Sequence, residues 1–511
     1  MRPFQIALYI WSVIVLLGVV CWFVPEQGWK LGDYTLRFPT LTEALDIDLA
    51  TSEQLDSLES VDMSDTLLLD VVPIASSSDS LIPPVSEGLI TDSFYLPEQS
   101  EQPVVVSIAD TLSFKKADQS SIVSTLCEEN EPTSVNEECP LSAFFLALDS
   151  ASVMPVRVVH YGDSQIEEDR ITDILRERWQ KEYGGGGVGL IPLHQTIPTR
   201  SLRQWISMNG VTQSAKGGPK RYIVYGPQSM RLKTDNYGVM GQVAIMDNTL
   251  VAGSENIVLH VEPMSKKYKQ HNYFNRIRVL TDSVRVNNLE SGIGNLELED
   301  STTHYTINLQ GQGHIYGISL ETERGVIVDN IPMRGCSGTI FTKMDSTQLS
   351  NFYLETNTRL IILQFGGNMI PQTQSRSTIN GYVNRLRQQV CYLQSCAPQA
   401  SILLVGPSDM STRIDGQLKT YPMVPYLDQQ MKKMAEEEQI AYWSMYNAMG
   451  GYNSMVRWRE QGLAGGDYVH FTRAGANKIG KQLGEWIDNW KKKQSAKRND
   501  QQPPTIVTDS L

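Results

Sequence analysis

The hydrophobic pattern divides the chain into stretches of different grammar. Residues Phe4–Val24 are apolar, broken only by Gln5 and Ser12. From Leu41 to about Cys139 no apolar period is sustained. Beyond that, strand-like and helix-like runs alternate. Val156-Arg157-Val158-Val159-His160-Tyr161 reads as a buried strand, and Ile171, Ile174, Leu175 and Trp179 then recur at helical spacing. Leu360–Phe365 repeats the strand pattern, followed by a helix marked by Tyr382, Val383, Leu386, Val390 and Leu393. Ser401–Val405 is a further strand, and Ile479, Leu483, Trp486 and Trp490 mark the last helix. Strands alternating with helices predict an α/β unit, a parallel sheet wrapped by helices.

Residues 202–322 break this rhythm. Gly-rich turns separate short runs such as Arg221-Tyr222-Ile223-Val224-Tyr225, Ile257–Val261, Arg276–Leu280 and Ile315–Leu320, with no strong helix between them. The pattern predicts an inserted all-β sandwich or jelly roll. Val326–Asn330 then returns to the parallel sheet. The expected organisation is a membrane segment over 1–25, a tether over 26–140 and an α/β unit over 141–201 and 323–491. That unit is split by the insert, and a charged, disordered tail covers 492–511.

Composition sharpens the amino-terminal part. The apolar run is 21 residues long, enough to span a bilayer as a helix. Arg2 before it favours an inside amino terminus, and no small-x-small cleavage pattern follows. A signal anchor with the rest of the chain exported is expected; Val20 before Cys21 disfavours a lipoprotein. Leu41–Ser150 carries 22 Asp and Glu against two Lys, while the whole chain has a net charge of -13, so the remainder is positive by about 7. The acidic, Ser- and Pro-rich segment cannot bury enough apolar surface to offset its ordering entropy and reads as a flexible tether. No basic run interleaved with aromatics is present, which argues against a nucleic-acid partner. Of the six cysteines, Cys127 with Cys139 and Cys391 with Cys396 are candidates for disulfides or buried thiols; Cys336 is left unpaired. No Cys-x-x-Cys or spaced His cluster suggests a metal, and no cofactor is expected.

Four short blocks carry candidate chemistry: His160-Tyr161-Gly162-Asp163-Ser164-Gln165, Arg334-Gly335-Cys336-Ser337-Gly338, Phe365-Gly366-Gly367-Asn368 and Asp467-Tyr468-Val469-His470. Ser164, between a strand and a helix, is a candidate nucleophile. His470 is its candidate base, and Asp467 can orient the ring from one short turn away. The backbone N–H groups of Ser164 and Gly335 and the Asn368 amide are candidate oxyanion donors. Asp163 is assigned a supporting role in the turn. The plainer readings are a turn Ser, a surface Asp and His, and a turn Asn; the ordered recurrence of all four blocks weighs against them. Gly184–Gly189 follows a helix and lacks Gly-Lys-Ser/Thr, so a mobile loop is expected rather than a phosphate cradle. His194 reads as a loop histidine and Asp409 as a surface turn with a cleft-lining alternative.

These blocks resemble those of the GDSL/SGNH hydrolase family over Pro155–Lys491, its marker Ser, Gly, Asn and His falling on Ser164, Gly335, Asn368 and His470, with Asp467 three residues before the His. Two departures stand: Gln165 follows Ser164 where the family pattern has Leu, and no Asp follows Asn368. Gly338, three residues on, competes with Gly335 for the second marker. The resemblance implies a flavodoxin-like fold and a serine esterase working through an acyl-enzyme. The insert is similar to that of exported peptidoglycan or polysaccharide O-acetylesterases, which implies a carbohydrate acetylesterase with a polysaccharide or peptidoglycan substrate. Taken with the apolar run Phe4–Val24, this gives an expected single-pass place in a bacterial inner membrane, with the catalytic part periplasmic. The alternatives are an O-acetyltransferase using the same residues beside a membrane acyl-transfer partner, a glycan-binding protein with an inactive hydrolase domain, and, less supported, a lipase or thioesterase.

Overall fold

The computed structural model describes residues 29–31, 34–36, 108–112, 139–213, 217–265, 268–287, 305–371, 373 and 375–501. The chain divides into two units, residues 1–91 and 92–511. In the first, Trp29–Leu31 and Tyr34–Leu36 pair antiparallel. The apolar run Phe4–Val24 and the tail beyond 501 lie outside the described residues, as does most of the acidic segment. Among the described residues no helix is long and apolar enough to cross a membrane.

In the second unit, strands β1 (Pro155–Gly162), β2 (Gly325–Pro332), β3 (Thr358–Gln364), β4 (Ser401–Val405) and β5 (Ala441–Trp443) pair in parallel in the order β2-β1-β3-β4-β5. This is the flavodoxin-like order. Both faces are covered, which is why the strands read as nearly unbroken apolar runs. Val159, Tyr161, Ile361, Leu363, Ile402 and Leu404 belong to one core, with side chains from helices α3 (Ser346–Glu355), α4 (Arg376–Cys396) and α5 (Val424–Glu437). Val156, Val158, Leu360, Ile362, Leu403 and Val405 belong to the other. There they meet α1 (Ser142–Leu148), α2 (Thr172–Tyr183), α6 (Met445–Met449), α7 (Ser454–Glu460) and α8 (Arg473–Gln501). The helices expected after β1 and β3 are α2 and α4, and the last is α8, which continues through residues 492–501 where a disordered tail was expected.

Between α2 and β2 the chain builds two antiparallel sheets. One contains Leu202–Met208, Val211–Thr212, Asn256–Pro263, Arg285–Asn287 and Tyr305–Gln310; the other contains Lys220–Ile223, Gln242–Met246, Arg276–Thr281 and Gly313–Glu321. Ile206, Leu259 and Ile307 of the first share a core with Ala244, Val279 and Ile318 of the second, so the pair is a sandwich. Two strands outside 202–322 join the second sheet. Gly189–Ile191 pairs antiparallel with Gly313–Glu321, and Ile108–Leu112 pairs in parallel with Arg276–Thr281. The acidic segment therefore contributes an ordered strand within a stretch expected to be a tether.

The second sheet also packs against the α/β unit. Leu190, Val243, Leu280 and Tyr316 join the core of α3, α4 and α5. Charge is buried at this junction. Arg157 on β1 donates to both carboxylate oxygens of Asp329 on β2 at 2.7 and 2.9 Å, and to Glu321 and Ser319 of the sandwich. Arg278 pairs with the other oxygen of Glu321 at 3.2 Å, and the Leu190 N–H donates to Asp329 at 2.8 Å. All five polar residues are at most 5% exposed.

The glycine run passes through the same junction, and the expected mobile loop is instead a packed connection. At Gly185, with φ +105°, a Cβ would lie 2.5 Å from Val326 backbone atoms. At Gly187, with φ +76°, it would lie 2.1 Å from the Leu320 carbonyl oxygen. Only a residue without a side chain fits such a path. The Cys391–Cys396 disulfide is also not formed, since Cys396 is a free buried thiol. Both residues lie in the continuous helix α4, where positions five apart turn to different faces at a separation beyond disulfide reach.

Replacing Arg157 by Met leaves the carboxylates of Asp329 and Glu321 with one guanidinium between them. The expected loss is about 3–5 kcal/mol of stability, read as a lowered midpoint in urea unfolding.

Candidate active site

β1, β2 and β3 end side by side, and each is followed by one of the first three blocks. In a doubly wound sheet this crevice, at the carboxyl ends where the strand order reverses, is where a ligand sits. Gly162 ends β1, and its carbonyl accepts from the Met333 N–H at 2.7 Å, joining the first two blocks. Asp163 caps the turn that begins at Ser164, accepting from the Gln165 N–H at 2.9 Å.

The structure brings Ser164, His470 and Asp467 into one chain of contacts. Ser164 Oγ lies 2.9 Å from His470 Nε2, and His470 Nδ1 lies 2.7 Å from Asp467 Oδ2. An ionised carboxylate can only accept, so the Nδ1 proton faces Asp467 and the Nε2 lone pair faces the serine hydroxyl. Asp467 Oδ1 also accepts from the Val469 and His470 N–H groups, each at 3.0 Å. Burial raises the Asp467 pKa, but the His470 bond and these two N–H donors outweigh it and hold the carboxyl down at about 2. It is therefore ionised throughout the neutral range.

The oxyanion candidates converge less symmetrically. Gly335 is exposed with φ +72°, and a Cβ there would meet nothing within 4 Å. Gly338 is packed, its Cβ position 2.7 Å from the Phe365 ring. Gly335 is thus the more open of the two toward a ligand, and Gly338 serves packing. Among the described residues neither the Ser164 nor the Gly335 N–H has a hydrogen-bond partner. Asn368 follows β3 in the short turn Gly367–Met369, where its Nδ2 donates to Asp163 Oδ2 and to the Cys336 carbonyl, each at 3.1 Å. The third block is thereby tied to the first and second.

Three features of the site were missed in the sequence. Gln165, 7% exposed, donates from Nε2 to the Val469 carbonyl at 2.7 Å and so pins the histidine loop to the serine turn. A Leu at this position has no such donor. Buried Glu167 takes Arg334 in a two-pronged ion pair, 2.7 Å on each side, fixing the residue before Gly335 to the turn after Ser164. Arg334 inside the second block and Glu167 two residues after the first were the available signal, since a buried charge requires a partner. Third, Asp409 is fully buried, neither surface turn nor cleft wall. Its Oδ2 accepts from the Met455 N–H at 2.7 Å and Ser454 Oγ at 3.2 Å, at the amino end of α7. That end carries partial positive charge and attracts a carboxylate.

The remaining candidates stand outside the chemistry. Burial pushes the Cys336 thiol up to about 11, so it is not a thiolate nucleophile. His160 is buried and held neutral, its pKa lowered by burial to about 4; it bonds Gln364 and Thr172. His194 lies beside Gly218 in the sandwich region.

No family model and no curated protein matches this chain. Solved structures do. One, described as a peptidoglycan O-acetylesterase in action, is 20% identical, covers 69% of this chain and 96% of its own, and superposes with a TM-score of 0.53. An acetyl xylan esterase is 15% identical over 32% of this chain and 81% of its own, with a TM-score of 0.26. A GDSL-like lipase from Parabacteroides merdae is 18% identical over 31% of this chain and 72% of its own, with a TM-score of 0.24. The first establishes a shared fold: this chain has the SGNH-type flavodoxin-like architecture with an inserted β sandwich.

Burial raises the Asp163 pKa to about 6, against the lowering effect of the Gln165 N–H and His470. Its folded value exceeds its unfolded one, so its contribution to stability is fully present below about pH 4 and is lost as pH rises through 6. The stability of the wild type relative to Asp163→Asn is expected to fall by about 2 kcal/mol between pH 4 and pH 7. Parallel urea titrations of both proteins measure it.

Proposed function

We propose that this protein is a serine esterase that removes acetyl or other small acyl groups from a cell-envelope or other polysaccharide. The observation that carries the reading is the unbroken Ser164–His470–Asp467 chain at the carboxyl ends of β1, β2 and β3. Ser164 Oγ attacks the ester carbonyl while His470 Nε2 takes its proton. The oxyanion receives the N–H groups of Ser164 and Gly335 and the Asn368 amide. His470 then returns the proton to the departing sugar oxygen. Water, deprotonated by the same ring, attacks the acyl-enzyme, releasing the acid and restoring Ser164. No step calls for a metal or cofactor.

The fold shared with a structure described as a peptidoglycan O-acetylesterase supports this reading. So does the joining of the sandwich to the catalytic sheet, which gives a polymer a second surface to lie along. The apolar run Phe4–Val24 and the acidic segment after it support a tethered, single-pass placement with the catalytic part outside the cytoplasmic membrane.

The full-length chain is tested with an activated acetyl ester and an oligosaccharide acceptor, measuring free acetate and acetylated sugar together. Acetate as the main product, lost in Ser164→Ala and His470→Ala with folding intact, is the expected outcome. Ser164-dependent acetylated sugar as the main product would make the protein a transferase. Full turnover by Ser164→Ala would overturn the mechanism. Asn368→Ala is expected to lower kcat by about 100- to 1,000-fold with a smaller change in KM.

A further inference from the structure

Charge on this chain is segregated twice. The acidic segment is one case; the other is Gly184–Thr234, which has seven Lys and Arg and no Asp or Glu in a protein of net charge -13. This stretch supplies the sandwich's approach to the catalytic crevice. Val224 lies against Gly241, whose Cβ position would be 3.1 Å from Val224 and 3.0 Å from Met333. Met333 stands two residues before Gly335 and is bonded through its N–H to Gly162. The next residue after Val224 is Tyr225, half-buried and packed on the same core as Met333 and Cys336. Burial raises its phenol pKa.

Arg221 reaches Tyr225 from the strand before it. Its Nε donates to Gln242 Oε1 at 2.7 Å and its Nη2 to the Tyr225 hydroxyl at 3.3 Å. Gln242 is 8% exposed and sits on the neighbouring strand, so the guanidinium is held by a rigid support. Among the described residues Arg221 has no carboxylate partner, and its Nη1 is neither bonded nor sealed from solvent. Arg334, the nearby guanidinium on the second block, is already neutralised by Glu167. A fixed, uncompensated guanidinium backed by a phenol hydroxyl suits a carboxylate.

We infer that Arg221, oriented by Gln242 and Tyr225, forms a subsite for a carboxylate of the glycan beside the scissile ester, so that the preferred substrate is an anionic acylated polysaccharide. The inference rests on the esterase reading above. The sandwich thereby takes part in substrate choice rather than only in anchoring a polymer.

The test compares three substrates on the full-length chain: p-nitrophenyl acetate, an O-acetylated polyuronate, and the same polymer with its carboxyls reduced to alcohols before acetylation to a matched degree. Wild type is expected to prefer the polyuronate over the reduced polymer by about tenfold or more in kcat/KM, the difference lying in KM and shrinking as salt is raised. Arg221→Gln is expected to lose that preference while hydrolysing p-nitrophenyl acetate as wild type does; Arg221→Lys retains part of it. Equal wild-type rates on the two polymers, with Ser164-dependent p-nitrophenyl acetate hydrolysis intact, overturn the inference and leave the esterase standing. Equal loss on all three substrates in Arg221→Gln, with an unchanged melting profile, assigns Arg221 to the catalytic geometry and also overturns it. Absence of Ser164-dependent hydrolysis of any of the three removes the esterase reading and the inference with it. The wild-type comparison needs no variant, so misfolding of Arg221→Gln would not decide the outcome.

Discussion

The buried ion network of Arg157, Asp329, Glu321 and Arg278 is the constraint on which the rest of this molecule depends. Each of these charges would be costly alone in the interior, and each is tolerable because the others are in place. Two belong to the adjacent strands β1 and β2 of the parallel sheet and two to the sandwich. The network therefore fixes one module against the other with a directionality that apolar packing does not have. Asp329 reaches further, accepting from the Leu190 N–H and so holding the strand that follows the glycine run. The run's tight path between Val326 and Leu320 belongs to the same junction.

That rigidity continues into the crevice. β1 carries Arg157 at one end and leads to Ser164 at the other; β2 carries Asp329 and leads to Gly335. Strand register thus transmits the fixed junction to the candidate site. At the crevice itself the four blocks are joined by hydrogen bonds of their own: Gly162 to Met333, Asn368 to Asp163 and Cys336, Glu167 to Arg334, and Gln165 to Val469. A site held at so many points needs little reorganisation when charge develops, which is what oxyanion stabilisation requires.

The candidate triad was legible because each member lies in a short local pattern: a turn after a strand, or a carboxylate three residues before a histidine. The ties between blocks were not, since Gln165 and Val469 are 304 residues apart and Glu167 and Arg334 are 167 apart. Asp409 shows the same limit. Its neighbours Gly406-Pro407-Ser408 look like a surface turn, yet the helix end that its carboxylate meets comes from more than forty residues later. The glycine run misleads in the opposite sense, because flexibility in an isolated chain and fit to a narrow gap both select glycine.

The sequence by itself determined the alternation of strands and helices, the change to β grammar after residue 202, the segregation of charge and the four blocks in order. These follow from period, composition and short-range chemistry, which depend on neighbours along the chain. Tertiary structure alone decided the 2-1-3-4-5 strand order, the seating of the sandwich on the parallel sheet and the recruitment of Ile108–Leu112 and Gly189–Ile191 as added strands. It also decided the placing of Arg221 and Tyr225 near the second block. Those outcomes depend on which apolar faces and which buried charges find each other across hundreds of residues, and no local pattern encodes the partner of a group that distant.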